Sequence, residues 1–315
     1  MLMKIVVTGG AGFIGSNFIR YMRSAHPEHK ILCLDKLTYA GSLDNLTGIL
    51  GSPDFMFSKT DIADEKAVNE ALKSFMPDVI VNFAAESHVD RSIADARDFV
   101  RTNVEGVRVL LEAARITGAR FHQISTDEVY GDLPVRSTEK FTETSALRPS
   151  SPYSATKAAA DLLALSYHRT YGLFVTVSRS SNNYGMHQYP EKLIPLAVKN
   201  ILGGKPVPVY GDGGNVRDWI AVEDHSEAVD IILARGRSGE VYNVGGGNER
   251  TNLEIVDGII GILGRGSREF VRDRAGHDRR YALDTGKMYA EFGWKPKVPF
   301  EEGLVRTVHG YAKKG

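Results

Sequence analysis

A single cysteine, Cys33, among 315 residues excludes an intrachain disulfide and fits a reducing cytoplasm. It lies in the apolar run Ile31-Leu32-Cys33-Leu34, which reads as core rather than as the setting of a nucleophile. Charge of one sign is also missing: 39 basic residues face 39 acidic ones, for a formal net charge of zero. That removes the electrostatic argument for nucleic acid or an anionic membrane as main partner, although a local basic cluster can still grip a small anion. No uninterrupted apolar run is long enough to span a bilayer. The start, Met1-Leu2-Met3-Lys4, runs straight into a strand pattern and lacks the layout of a signal peptide. Repeats, low-complexity tracts and obvious linkers are absent. What is present is enough chain for a large core and one or two domains.

Lys4-Ile5-Val6-Val7-Thr8 reads as a short, fully buried parallel strand. Glycines follow at once, and their spacing fits two patterns: Gly10-x-Gly12-x-x-Gly15, the general dinucleotide fingerprint, and Gly9-x-x-Gly12-x-x-Gly15. Both need residues without side chains, so that a tight turn can bring backbone N–H groups against a pyrophosphate at a helix N-terminus. A second apolar strand, 30–34, ends in Asp35, 20 residues after Gly15. An acid there accepts hydrogen bonds from ribose hydroxyls and repels a 2′-phosphate, favouring NAD over NADP; Lys36, directly after it, leaves NADP open. The alternation continues with a strand at 55–57, a helix at 64–75, a strand at 79–83 and a strand at 120–124. A helix over about 98–116 would bury Phe99, Val100, Val104, Val107, Leu110, Leu111 and Ala114. Repeated β-α units of this kind predict an α/β fold built on a doubly wound parallel (Rossmann) sheet, with ligands at the carboxyl ends of its strands.

The chemistry is carried by Thr126-Asp127-Glu128 and, 25 residues after Glu128, by Tyr153-x-x-x-Lys157. Ser151 as N-cap and Pro152 as first helical residue start a helix that puts Tyr153 and Lys157 on one face. An ammonium beside a phenol lowers the phenol's pKa and makes it a base for an alcohol proton. Ser125-Thr126-Asp127-Glu128 also reads as a capping box. Neighbouring strand residues point to opposite faces, so Asp127 and Glu128 can serve one substrate only if the chain turns there. Two carboxyls in one cleft titrate as a pair with one held protonated, an acid and a base together.

These residues resemble the extended short-chain dehydrogenase/reductases and, within them, the dTDP-glucose 4,6-dehydratases. The resemblance runs nearly the whole chain. It rests on Gly-Gly-Ala-Gly-Phe-Ile-Gly (9–15), Asp-Lys-Leu-Thr-Tyr-Ala-Gly (35–41), Ala-Ala-Glu-Ser-His-Val-Asp-Arg-Ser (84–92), Ser-Thr-Asp-Glu-Val-Tyr-Gly (125–131), Tyr-Ser-Ala-Thr-Lys (153–157), Pro-Glu-Lys-Leu-Ile-Pro (190–195) and Gly-His-Asp-Arg-Arg-Tyr (276–281). It implies a redox-neutral removal of water from a hexose attached to a nucleotide, with NAD as cofactor. Tyr153 would take the O4 proton, Thr126 and Lys157 assisting; Glu128 would remove the C5 proton and Asp127, protonated, would release the C6 hydroxyl as water.

The same resemblance implies that Gly9, Gly12, Phe13, Ile14, Gly15, Asp35, Lys36, Leu37, Thr38, Asp61, Ile62, Ala84, Ala85, Thr102, Tyr153, Lys157 and Asn183 form the NAD site. It assigns Ser87, Thr126, Asn182, Lys192, Leu193, Pro208, Val209, Tyr210, Arg217, Asn252, Arg274 and His277 to the nucleotide sugar. No metal is implied. Two departures from the family pattern, Met186-His187 after Asn-Asn-Tyr-Gly and Ala275 in the Arg-Pro-Gly-His stretch, are expected at substrate-facing loops, with His187 a surface residue. The NAD domain is expected over residues 1–180, with a later strand near 241–247 returning to its sheet, and a smaller nucleotide-sugar domain over 181–315. A homodimer through helices near 98–116 and 153–171 is the family's habit. Two alternatives stand beside this reading: a nucleotide-sugar 4-epimerase, which needs neither Asp127 nor Glu128, and a non-catalytic NAD-loaded sensor.

Overall fold

Seven strands, most of them buried, pair side by side in one parallel sheet. The computed structural model describes residues 2–313, so Met1 and residues 314 and 315 of the expected domain bounds lie outside it. The strands are Lys4–Thr8 (β1), Lys30–Asp35 (β2), Phe55–Lys59 (β3), Val79–Asn82 (β4), Arg120–Thr126 (β5), Val175–Ser180 (β6), Asn182–Tyr184 (β7), Val207–Tyr210 (β8), Val216–Ala221 (β9), Glu240–Val244 (β10), Glu249–Thr251 (β11) and Arg268–Val271 (β12). The helices are Phe13–Ala25 (α1), Glu65–Phe75 (α2), Val89–Ala94 (α3), Arg97–Val100 (α4), Gly106–Thr117 (α5), Pro152–Tyr171 (α6), Leu193–Leu202 (α7), Val222–Arg235 (α8), Asn252–Leu263 (α9), Gly286–Phe292 (α10) and Phe300–Ala312 (α11). The large sheet has the order β10-β6-β5-β4-β1-β2-β3, and every neighbouring pair is parallel. The chain winds outward from β1 to one edge, then from β4 to the other. The crevice of such a sheet opens where those directions part.

Both faces of the sheet are covered, which is why β1, β2 and β4 read as near-continuous apolar runs. Val6, Ile80, Phe121 and Val177 meet α2, α5 and α6 on one face. Ile5, Val7, Cys33 and Val81 meet α1 and α8 on the other. Cys33 is a buried core residue, and burial pushes its thiol pKa up, with Asp35 adding to the effect. A second core joins α7, α9 and α11 to β8 and β9, through Ile194, Val198, Val209, Trp219, Ile255, Ile259 and Leu304. There β9 pairs with β7 in parallel and with β11 antiparallel, and β8 pairs with β12. The chain returns to the large sheet between these pieces, because α8 packs on α1 and β10 pairs with β6.

The helix expected over 98–116 is not continuous. α4 is followed by a π-helical stretch, Arg101–Glu105, before α5 resumes. The wider turn shifts the register, so Val100 is 51% exposed instead of buried and Val104 is only half-buried. Thr102 and Asn103 turn inward instead. Asn103 then clamps the segment after β4: its Oδ1 accepts from the Glu86 N–H, and its Nδ2 donates to the Glu86 carbonyl and to Thr156 Oγ1. Single π turns of this kind concentrate at functional sites.

Candidate active site

A cavity of about 290 Å³ opens at the carboxyl ends of the central strands. Its walls come from the glycine turn after β1, from Asp35 at the end of β2, and from Asp61 and Ile62 after β3. Residues 83–87 after β4, 124–128 at the end of β5 and 180–183 at and after β6 complete the sheet side, and Gln188, Tyr189, Glu191 and Lys192 face them.

The dinucleotide half is built by local chemistry. Gly9 adopts φ +65, and a Cβ there would lie 2.6 Å from the Ala84 nitrogen, so the turn tolerates only glycine. Gly12 is the N-cap of α1 and offers no side-chain cap. A Cβ on it would meet nothing closer than the Gly9 carbonyl at 3.2 Å, so its missing side chain leaves the helix N-terminus open to the cavity. Gly10 is closed off behind Cys33 and Ile19, so the spacing that serves the cavity is Gly9-x-x-Gly12-x-x-Gly15. Asp35 accepts the Ala11 N–H (3.0 Å) and the Leu37 N–H (2.8 Å). Lys36 lies 3.8 Å from Asp61, which also pairs with Arg101 at 2.7 Å, so its charge is shared with a carboxylate. The bare helix terminus and the anchored acid fit a diphosphate and a ribose, and thus NAD. All the residues expected for NAD line this cavity except Leu37. Leu37 makes the turn instead, at φ +55.

The chemical half turns on the end of β5. The strand runs to Thr126, and Asp127–Tyr130 then form one tight helical turn. Thr126, not Ser125, is the N-cap: its Oγ1 accepts the Glu128 N–H at 3.3 Å. The capping-box reading of Ser125 and Glu128 is therefore wrong. The turn brings Asp127 and Glu128 to the same cavity as Tyr153 and Lys157. α6 starts as expected, with a capping box between Ser151 and Ser154 and Pro152 in its first turn.

The two carboxyls differ in surroundings. Asp127 is 1% exposed. Burial, then the charges of Glu128 and Asp218, push its pKa well up. Burial also raises Glu128, but Arg274, Arg217 and Lys192 all oppose it. A protonated Asp127 beside an ionised Glu128 is the distribution these charges favour. Asp127 Oδ1 accepts from the Thr126 hydroxyl at 3.2 Å, and its Oδ2 has no partner among the described residues. That hydroxyl has one proton, and it also hydrogen-bonds the Tyr153 phenol, so it can donate to only one of them at a time.

Lys157 departs from expectation. Its Nζ donates to the Ile124 carbonyl at 2.6 Å. The Tyr153 phenol is held well above its ordinary pKa by burial, then by Glu128 and Asp127. The spacing of Tyr153 and Lys157 was expected to lower the phenol; in this structure burial, then the carboxylates of the turn after β5, raise it instead. Burial brings Lys157 itself down to about 8, with Asp161 one turn on opposing the shift.

The residues expected for the nucleotide sugar divide. Ser87, Thr126, Asn182 and Lys192 line the cavity. Tyr210, Arg274 and His277 stand outside the cavity wall but within electrostatic reach of it: the Tyr210 and His277 rings meet edge-on at 6.3 Å, Arg274 lies 3.8 Å from Asp90, and its charge acts on Glu128 and Lys192. Arg217 is buried, donating to the Val216 and Asp278 carbonyls and stacking 4.3 Å from the Tyr281 ring centroid. Leu193 opens α7 and Asn252 opens α9, where its N–H donates to the Asn215 carbonyl. Pro208 and Val209 belong to β8, with Val209 in the second core. Met186 and His187 do not line the cavity. The Met186 carbonyl accepts from Asn17 on α1, its sulfur abuts Gly310 on α11, and His187 lies 3.1 Å from Asn45. Ala275 is exposed.

Sequence reasoning missed four contributors. Asp218 presses on Asp127 from β9 while pinned by the Gly246 and Asn248 N–H groups. His225, fully buried, meets the Asn183 amide oxygen at 2.8 Å and orients that side chain. Asn103 acts through the π turn. Glu191 stood in a quoted motif without a role, yet lines the cavity. No local pattern marks any of them, because each acts on a residue distant in sequence.

A family profile described as GDP-mannose 4,6 dehydratase matches residues 6–307. The dTDP-glucose 4,6-dehydratase of Haemophilus influenzae is 48% identical over 333 residues, covering 98% of each chain. The crystal structure of the dTDP-glucose 4,6-dehydratase of Bacillus anthracis in complex with NAD is similar with a TM-score of 0.92 and 51% identity, over 99% of this chain and 97% of that one. The Streptomyces venezuelae dTDP-glucose 4,6-dehydratase with NAD bound gives a TM-score of 0.95 at 48% identity, with the same coverage.

Proposed function

The chain belongs to the family described as GDP-mannose 4,6 dehydratase and, within it, to the dTDP-glucose 4,6-dehydratases, and from that premise we propose how its own residues divide the reaction. The enzyme is an NAD-dependent hydro-lyase that converts dTDP-glucose to dTDP-4-keto-6-deoxyglucose. Bound NAD would supply the hydride acceptor for C4 and the hydride donor for C6 and, while oxidised, a positive charge in the site. The glycine turn and Asp35 hold it. Tyr153 takes the O4 proton, with the Thr126 proton free to follow the phenolate and Lys157 supplying the chain's own positive charge on that helix face.

Oxidation at C4 must come first, because only a neighbouring ketone makes the C5 proton acidic. Glu128, facing three cations, is the base that removes it. Asp127, facing two carboxylates, carries the proton that the departing C6 hydroxyl needs. Lys192 and, from beyond the cavity wall, Arg217, Arg274 and His277 suit a diphosphate. The observation that carries this reading is the convergence of Asp127, Glu128 and Tyr153 on one cavity. A 4-epimerase has no use for the first two. Incubation with dTDP-glucose tests it: a product lighter by one water that absorbs strongly in alkali supports the reading, and dTDP-galactose without loss of water refutes it.

A homodimer through α5 and α6 accords with exposed apolar residues on those helices, Ile116 at 60% and Leu162 at 59%. Sedimentation as a monomer would refute it. No helix among the described residues is long and apolar enough to cross a membrane. A cytoplasmic location accords with the lone buried thiol of Cys33, and cell fractionation tests it.

A further inference from the structure

Two segments far apart in sequence face each other at the cavity: residues 35–41, from the end of β2 onward, and residues 188–192 before α7. Among the described residues no backbone hydrogen bond joins them. Side chains do. Tyr39 lies between Thr38 and Ala40, which both line the cavity, and its hydroxyl donates to Glu191 Oε1 at 3.3 Å. The Tyr39 ring meets Tyr189 edge-on at 5.4 Å. Two side chains from the start of α3 back the contact. The Arg91 guanidinium sits 3.8 Å from the Tyr39 ring centroid and 3.7 Å from Glu191 Oε2. His88 Nε2 is 3.5 Å from the same oxygen. Next to Glu191, the Lys192 Nζ donates to the Ser87 carbonyl at 2.9 Å. Three stretches that flank the cavity thus meet on one half-buried carboxylate.

None of these groups is needed for proton transfer, and Tyr39 does not line the cavity. What the bridge does is tie the segment that carries Asp35 to the segment that carries Lys192. A molecule seated on Asp35 and the glycine turn leaves more slowly while those segments are tied. We propose that the Tyr39–Glu191 bridge, backed by Arg91 and His88, is a clasp that retains the dinucleotide between turnovers. The idea rests on the reading of the site as an NAD-dependent dehydratase. There the cofactor ends each cycle in the form in which it began, so nothing in the chemistry requires it to leave.

The test uses the holoenzyme loaded with NAD labelled in the adenine ring and chased with excess unlabelled NAD. Tyr39→Phe removes one hydroxyl and keeps the ring, and Glu191→Gln keeps the shape and removes the charge. Each is expected to release label roughly three- to tenfold faster than wild type, the range for loss of one ordinary hydrogen bond. The double variant is expected to be no faster than the faster single one, because the two residues share one interaction. Tyr39→Phe is expected to keep wild-type turnover when NAD is saturating. Label release at the wild-type rate in both single variants overturns the clasp. So does faster release in the double variant equal to the product of the two single effects, since that would mark independent damage. Wild-type enzyme that carries NAD and yields no dehydrated product would instead sink the functional reading and leave the retention result standing alone.

Discussion

Asp127→Asn separates the two halves of the proposed reaction. Asparagine matches the shape of aspartic acid and refills the buried site without a cavity, but its amide gives up no proton. A positioned general acid is worth about 10²- to 10⁴-fold, or roughly 3–5 kcal/mol at about 1.36 kcal/mol per decade. That loss should fall on the release of water, while Tyr153 and Thr126 still support oxidation at C4. Stopped-flow absorbance in the near ultraviolet should then show reduced nicotinamide building up on the variant, with product formation slowed by the full factor. Folding should move the other way. Burial, then Glu128 and Asp218, hold the Asp127 carboxyl well above the ordinary aspartate range. A carboxyl raised in the fold contributes its full stability below the unfolded value of about 3.9 and loses it as pH rises through the folded value. At neutral pH the wild type therefore carries a penalty that asparagine avoids. The variant should melt at a higher temperature at pH 7, and the two curves should converge near pH 4. Equal slowing of oxidation and elimination would refute the division between Asp127 and Glu128. A variant less stable at neutral pH would refute the charge account.

Glu128→Gln should leave C4 oxidation in place and abolish exchange of the C5 hydrogen with heavy water, with turnover lower by about 10²- to 10⁴-fold; mass spectrometry of recovered substrate reads the exchange. Lys157→Met should lose most turnover yet unfold at a higher temperature at neutral pH, because burial has lowered the lysine to about 8 and the Ile124 carbonyl keeps its bond from Gln123. The stability gap should shrink as pH rises from about 8 towards the unfolded lysine value of about 10.4, which calorimetry across that window checks. Arg274→Ala should raise KM for dTDP-glucose about tenfold or more, the range for a charge-assisted hydrogen bond, and lower kcat by a smaller factor, since Arg217 and Lys192 still face Glu128; initial rates against substrate concentration separate the two.

What could be read from the chain alone was whatever neighbours within a few residues decide. The apolar run before Gly9, the glycine spacing, Asp35 at a strand end and Ser151-Pro152 before Tyr153 are local patterns, and the backbone obeyed them. The types of acid and base were local too, since Asp127 and Glu128 follow one another. Tertiary structure decided what those groups are. Which carboxyl keeps a proton depends on Asp218, Arg217 and Arg274, some 90 to 150 residues away in the sequence, and a charge acts through distance in space. The π turn at Arg101–Glu105 won over a continuous helix because Asn103 there satisfies part-buried backbone groups at Glu86, a partner no periodicity encodes. Lys157 bonded a strand carbonyl instead of leaning on Tyr153, and Tyr39 found Glu191 across the cavity. Periodicity and spacing wrote the scaffold and named the reagents, and three-dimensional packing set their protonation and their partners.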